Sequence, residues 1–542
     1  AQAALPSFRR LVLWGPAMSP LGDRPPTLGQ LRQMLAEEAL SCEDLVGYSL
    51  QQIRDSPASF VEVFEASALA AARAADARRR VGAPAGPLDG IPVAVKDLLD
   101  VRGSQTRAGL PASKAARLAR AARPADKDAV VVERLKAAGA IIIGKTQLTE
   151  LAFSGVGHNP HHAAVLSPTG RAPGGSSSGS AAALARGQVP VALGSDTGGS
   201  VRIPAAFCGV TGFKPSFGLV PTSGCWPLAP RSLDTIGPLA HCVDDCAEVF
   251  RVLAGCPGLD PTAPLSPPRA DALRLLAPLP LAWDALDAPV AAAFSASIAA
   301  LRAAGAVVVE ANVPLQASHL EALRVIISDE AATANADLLS DATMRAGLDG
   351  PTRGRLEFGE GVSAAQYSSA KMEQQEAVAL VDMHTRGYDA MLMPTCPIVP
   401  PTVHDLQSDE ALNRALVEVC RFTRFVNLLG RCAISLPCHL AAPNGAEQLP
   451  VGLMLVGDVG KDEQCLGIAK AVETVLRSEG LGEPLRKSPA GAPRTRMEVA
   501  APPARKRAAA AAPGEDVEAL AGCCRKALRT AAPTADVRVQ LM

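Results

Sequence analysis

Hydrophobic positions recur with a helical period from Leu28 to Ile53, and again along an alanine-rich stripe from Ala58 to Arg80, predicting helices that pack on a core. The pattern then changes. Gly86-Pro87-Leu88-Asp89-Gly90 is a turn cluster, and Ile91-Pro92-Val93-Ala94-Val95 is a short apolar run rich in β-branched residues, which predicts a buried strand with Lys96 at its end. A helix over Ala129–Ala138 feeds a strand at Ala140-Ile141-Ile142-Ile143, and Tyr388–Pro394 predicts a further core strand. Because helix, strand and loop recur, the chain reads as α/β with a central sheet, and no internal repeat is visible.

Composition marks the edges of this body. Residues 1–27 are proline-rich and predicted irregular, and 28–485 form the folded domain. Within it Pro261–Pro280 turns Pro/Ala-rich and predicts a surface excursion. Residues 486–542 form an Ala/Pro/Arg-rich tail, with a disordered linker over 486–514 and one short helix over 515–530.

With 542 residues and 48% hydrophobic composition the chain can bury a large core. Its 53 basic and 54 acidic residues leave a net charge of −1, which removes the electrostatic case for binding nucleic acid or an anionic membrane and favours small-molecule partners. The 13 cysteines fit neither a disulfide framework nor paired zinc ligands, so a reducing, cytoplasmic home is expected. No apolar run reaches the roughly 18 residues of a membrane span, and no signal-peptide core opens the chain. Residues 1–22 carry Arg9 and Arg10 and no acid, which leaves organelle targeting as the alternative. Composition does not give an oligomeric state.

Two glycine/serine clusters carry the chemistry. Gly174-Gly175-Ser176-Ser177-Ser178-Gly179-Ser180 is followed, 24 residues after Ser176, by Ser200 in Gly194-Ser195-Asp196-Thr197-Gly198-Gly199-Ser200. Between them Ala181–Arg186 is a strong helix former, so one cluster opens a helix and the other closes the loop returning beside it. Two rival patterns fail on context. Gly139–Thr146 has phosphate-loop spacing, but its three isoleucines favour an extended strand. Gly175–Gly179 has nucleophile-elbow spacing, but no buried strand precedes it and no histidine accompanies either cluster. Serine chemistry without histidine needs another base. A buried lysine held neutral by desolvation can serve, and Lys96 at a strand end is so placed. Gly198-Gly199-Ser200 offers backbone N–H groups to a developing oxyanion.

Together these segments resemble the amidase signature family. The likeness continues through Val201–Gly209, Gly212-Phe213-Lys214-Pro215, Ser232–Pro238, Phe425–Gly430 and Leu449–Gly457, spanning roughly residues 30 to 485. It implies the amidase signature fold, a central twisted mixed sheet covered by helices on both sides. It also implies a triad in which Lys96 is the base, Ser176 the serine after a cis peptide bond and Ser200 the nucleophile. The expected cycle runs through an acyl-enzyme intermediate and releases ammonia or an amine. Thr197, Gly198, Gly199 and Ser200 are the implied oxyanion donors. Ser177, Asp196 and Arg202 are read as fixing loop shape by hydrogen bonds, with Arg202 alternatively binding a substrate carboxylate. Phe153 and Ser154 fall on a segment that lines the acyl pocket in relatives. No metal or organic cofactor is implied, and the partner is a small-molecule amide. Two other functions compete: the glutaminase subunit of a tRNA-dependent amidotransferase, and a non-catalytic amidase-like binding domain. The first usually carries Gln where Ile203 and Thr235 stand, and the second typically loses triad residues. The stretch from about 262 to 385 offers no motif that names the substrate.

Overall fold

Among the residues that the computed structural model describes, 25–256, 258, 260–279, 285–314, 317–440 and 448–485, eleven strands form one mixed sheet. They are β1 (Phe60–Val63), β2 (Pro92–Lys96), β3 (Ile141–Thr146), β4 (Val191–Asp196), β5 (Thr211–Lys214), β6 (Thr235–Ala240), β7 (Arg274–Leu279), β8 (Val307–Asn312), β9 (Ala390–Pro394), β10 (Ala433–Pro437) and β11 (Gly452–Val456). Their order is β1-β3-β2-β4-β6-β5-β10-β11-β9-β7-β8. β2 runs parallel to both β3 and β4, and β7 is parallel to β8 and β9; the remaining pairings are antiparallel.

Alternate side chains show why both faces are covered. Leu275, Leu392, Leu453 and Leu455 belong to one apolar cluster with helices Val243–Ala254, Ala288–Ala303 and Asp462–Ser478. Their neighbours Leu276, Met391, Met393, Met454 and Val456 belong to another, with helices Ala317–Ala334, Ala364–Thr385 and Thr423–Leu428. A period of two places successive residues on opposite faces, so a strand apolar at every position needs helices on both sides. No described helix is long and apolar enough to cross a membrane.

Three predicted elements are corrected. The helical stretch Leu28–Ile53 is two helices, Leu28–Ala36 and Cys42–Asp55, because Glu38 takes a left-handed φ of 56° and Ser41 caps the second through Asp44 N. The stretch Ala58–Arg80 begins as β1, which pairs with β3, and turns helical only at Glu65. Pro261–Pro280 is not wholly a surface excursion: Arg274–Leu279 forms β7, with Leu275, Leu276 and Ala277 buried, because the prolines thin out where Leu275-Leu276-Ala277 restores an apolar run. The strands expected at Ile91–Val95, Ala140–Ile143 and Tyr388–Pro394 are found as β2, β3 and β9, the helix expected over Ala129–Ala138 spans Val130–Ala137, and Gly139–Thr146 runs straight into β3. The expectations for residues 1–24 and for the tail 486–542 fall outside the described residues.

Strand register converts this sheet into a site. In parallel pairing, β2, β3 and β4 end on the same side, which brings Lys96, Thr146 and Asp196 to one edge, where ligand sites of parallel sheets gather.

Candidate active site

Lys96 is 0% exposed, because it ends a strand flanked on both sides and covered on both faces. Its Nζ lies 2.7 Å from Ser176 Oγ and 2.8 Å from Ser195 Oγ. Burial drives its ammonium down to about 7, outweighing the opposing influence of Cys225, Asp196 and Asp234. Near neutrality the amine is therefore readily available as a base.

Ser176 is delivered by the loop before helix Ser178–Ala185. The Gly175–Ser176 peptide is cis. Gly175 N donates to Gly155 O at 2.8 Å, and Thr149 N donates to Ser176 O at 3.3 Å. Glycine is required at 175, since an added Cβ would lie 2.7 Å from Ser154 O and 2.8 Å from Gly157 N. Behind the loop, Ser180 Oγ donates to Leu193 O at 2.8 Å and shares a 2.7 Å hydrogen bond with Thr146 Oγ1, tying the helix to the sheet.

The second cluster is organised around Asp196. Arg202 Nε and Nη2 donate to its two carboxylate oxygens at 3.0 and 2.9 Å, Gly199 N and Val201 N at 2.8 and 3.1 Å, and Asn427 Nδ2 at 2.9 Å. Burial opposes ionisation of Asp196, but the charge and hydrogen bonds of Arg202, with Lys214 and Asn427, win and hold the carboxyl well below the usual carboxylate range. Thr197 Oγ1 donates to Asp234 Oδ1 at 2.6 Å, Thr235 Oγ1 to Asp196 O at 2.7 Å and Thr423 Oγ1 to Gly198 O at 2.8 Å. Ser177 N donates to Ser200 O at 3.3 Å, which sets the two clusters side by side.

The expected residues take different places around these two clusters. Lys96 and Ser176 meet directly. Ser200, 7% exposed, accepts at its carbonyl from Ser177 N, and its Oγ hydrogen-bonds no side chain among the described residues. The amides of Thr197, Gly198 and Ser200 donate to no protein acceptor among the described residues, whereas that of Gly199 donates to Asp196 Oδ1 at 2.8 Å. Ser177 binds β4 at Ser195, and Asp196 and Arg202 form the buried hub. Arg202 is 0% exposed and also reaches Thr423 O, Asn427 Oδ1 and Met454 Sδ. Phe153 is buried, and Ser154 lies against the Gly175 loop. Sequence reasoning missed Ser195, Asp234, Thr423 and Asn427. The available signal was burial: a hydroxyl or amide inside an apolar segment must find a partner.

Comparisons with known proteins bear on the fold and the family. The family model named Amidase matches residues 44–466. The chain is 36% identical over 478 residues to the A-type subunit of glutamyl-tRNA(Gln) amidotransferase from Anaeromyxobacter sp. (strain K), covering 82% of this chain and 94% of that protein. It is 35% identical over 422 residues to 2-amino-5-chloromuconic acid deaminase from Comamonas testosteroni, covering 76% and 87% respectively. The crystal structure of an amidase superposes with a TM-score of 0.72 at 31% identity, covering 83% of this chain and 99% of that one.

Proposed function

The chain belongs to the amidase signature family, and from that premise we propose that it hydrolyses the C–N bond of a small-molecule carboxamide with Lys96, Ser176 and Ser200 as its catalytic residues. The observation that carries this reading is the contact of a fully buried Lys96 amine with Ser176 Oγ at 2.7 Å, together with the fall of its ammonium to about 7. A neutral amine so placed can take the proton of Ser176. Ser176 in turn takes that of Ser200, and Ser200 Oγ attacks the amide carbonyl. This second transfer requires the two hydroxyls to close to hydrogen-bond distance, as catalytic contacts do on substrate binding.

The oxyanion is held by the amides of Thr197, Gly198 and Ser200, each worth a few kcal/mol if it strengthens only in the transition state. Ser176 then delivers its proton to the leaving nitrogen, and water cleaves the acyl-enzyme by the same relay. Ser177, Asp196 and Arg202 keep the two clusters in place. Phe153 and Ser154 border the acyl side.

A second reading, the glutaminase subunit of an amidotransferase, is favoured by the 36% identity to such a protein. Against it stand Ile203 and Thr235, where those subunits usually carry Gln. Ammonia release from aliphatic, aryl-acetic, malonamic, carbamoyl-urea and glutamine amides by wild type, Lys96→Ala and Ser200→Ala separates the readings. Release from a non-glutamine amide, lost in both variants, supports the stand-alone amidase. Activity on glutamine alone supports the amidotransferase reading. Silence throughout counts against hydrolysis and favours a binding domain.

A further inference from the structure

Two consecutive residues, Asp234 and Thr235, reach the oxyanion loop from the strand beside it. β6 begins at Thr235, and its antiparallel register sets Thr235 opposite Asp196, the last residue of β4. Thr235 Oγ1 donates to Asp196 O at 2.7 Å, and Thr197 Oγ1 donates to Asp234 Oδ1 at 2.6 Å. The peptide linking Asp196 to Thr197 is thus gripped at its carbonyl by one residue and at the following side chain by the other. Asp234 is itself fixed: Ala229 N donates to its Oδ1 at 3.0 Å, Leu228 N to its Oδ2 at 2.9 Å, and its own N to Ala229 O at 3.0 Å. Asp196, Thr197, Asp234 and Thr235 are all buried, so water competes little for these bonds.

In a trans peptide the carbonyl and the N–H point in opposite directions. Gly175–Ser176 is the one cis peptide among the described residues, so the Asp196–Thr197 peptide is trans. With Asp196 O turned toward Thr235, the Thr197 N–H faces the other way, where among the described residues no protein acceptor meets it. The Gly198–Gly199 peptide gives the contrast: Thr423 Oγ1 donates to Gly198 O at 2.8 Å, and Gly199 N donates to Asp196 Oδ1 at 2.8 Å. That plane is closed at both ends, whereas the Asp196–Thr197 plane is held at its carbonyl and open at its N–H. A donor oriented in advance stabilises developing negative charge without reorganising at the moment of reaction.

We propose that Asp234 and Thr235 are positioning residues for the reaction: together they set the Asp196–Thr197 peptide so that the Thr197 N–H stands ready for the oxyanion. Their role rests on the amide-hydrolase reading, to which it adds two residues that act through Thr197. Thr235 thereby has a task of its own at a position where amidotransferase subunits usually carry Gln.

Thr235→Val and Thr197→Val delete the two hydroxyls at little change of shape, and Thr235→Ser and Thr197→Ser keep them. For each protein kcat and KM are measured on the amide that wild type turns over fastest, together with the rate at which a fluorophosphonate labels Ser200, with Ser200→Ala as control. Each valine variant is expected to lose on the order of 10- to 100-fold in kcat and in labelling rate with KM held within about twofold, and each serine variant to recover most of that loss. The two positions are read independently, so a valine variant that fails to fold leaves the other to decide. An unchanged kcat, a loss that falls on KM alone, or a loss that serine does not recover overturns the positioning role while leaving hydrolysis intact. Absence of turnover on every amide counts against hydrolysis, and labelling then decides: slower labelling in the valine variants, restored by serine, supports the positioned N–H, whereas equal labelling, or none in wild type, overturns it.

Discussion

Ser177 and Ser195 hold each other reciprocally: Ser195 N donates to Ser177 Oγ, and Ser177 Oγ donates to Ser195 O, each at 3.3 Å. The second hydroxyl in contact with Lys96 is thereby fixed by the residue next to Ser176 in the chain.

Ser195→Ala is therefore expected to lower kcat by about 10- to 100-fold with little change in KM, because Lys96 loses one of two hydrogen bonds that aim it while the substrate contacts remain. Steady-state kinetics decide this. A change confined to KM would place Ser195 on the substrate side instead.

The pH profile follows from the sign of the lysine shift. The neutral amine is the active form, so kcat/KM should rise with pH to a plateau, with its midpoint near 7 instead of the ordinary lysine value of 10.5. Between those values the unfolded chain binds a proton that the folded protein does not, so this group makes stability increase with pH from about 7 to 10.5. Urea titrations of wild type and Lys96→Met across that interval should show a steeper rise in wild type, since Lys214, lowered to about 8, titrates in both proteins. Lys96→Arg, charged throughout, should be inactive at every pH.

Breaking the Asp196–Arg202 pair leaves a buried charge without its partner. Arg202→Met should cost about 3–5 kcal/mol of stability, read from denaturant midpoints. Because Asp196 is held below its unfolded value, the stability it contributes is complete above about pH 4 and is lost only as pH falls toward the folded value, well under the usual range.

Adjacent glycines should respond differently. Gly199 has φ 126°, and a Cβ there would overlap Thr423 Oγ1 and lie 2.6 Å from Thr423 Cβ and 2.7 Å from Ile203 Cδ1. At Gly198 the added methyl meets only Arg424 Cγ at 3.6 Å. Gly199→Ala is expected to lower the melting temperature by several degrees, since strain and overpacking each cost about 1–3 kcal/mol. Gly198→Ala should melt within about 2 °C of wild type. Equal losses at the two positions would contradict this loop geometry.

Part of the molecule was legible in the chain and part was not, for identifiable reasons. The run Ile91–Val95 announces its strand because every position is apolar, and Lys96 is conspicuous at its end. Phe60–Val63 was absorbed into the alanine-rich helix beyond it, since four residues are too few to overrule a neighbouring helical period. Pro261–Pro280 obscures β7 because prolines on either side break up the apolar run Leu273–Ala277. Ser176 and Ser200 stood out within their motifs. Asn427, Thr423 and Arg424 did not, because they reach the loop from more than 220 positions away and only the folded sheet brings them there.

Both serines, the acid hub and its arginine partner lie within residues 174–202, whereas the side chains packed around Phe153, Gly155 and Gly198 include Arg355, Val419, Cys420 and Arg424. On the proposed reading, the serines that cut and the residues packed beside them are encoded in different stretches of the gene. Mutation and selection can retune the second while the first passes unchanged between descendants, and an engineer seeking new substrates would randomise those distal positions and leave the serine block untouched.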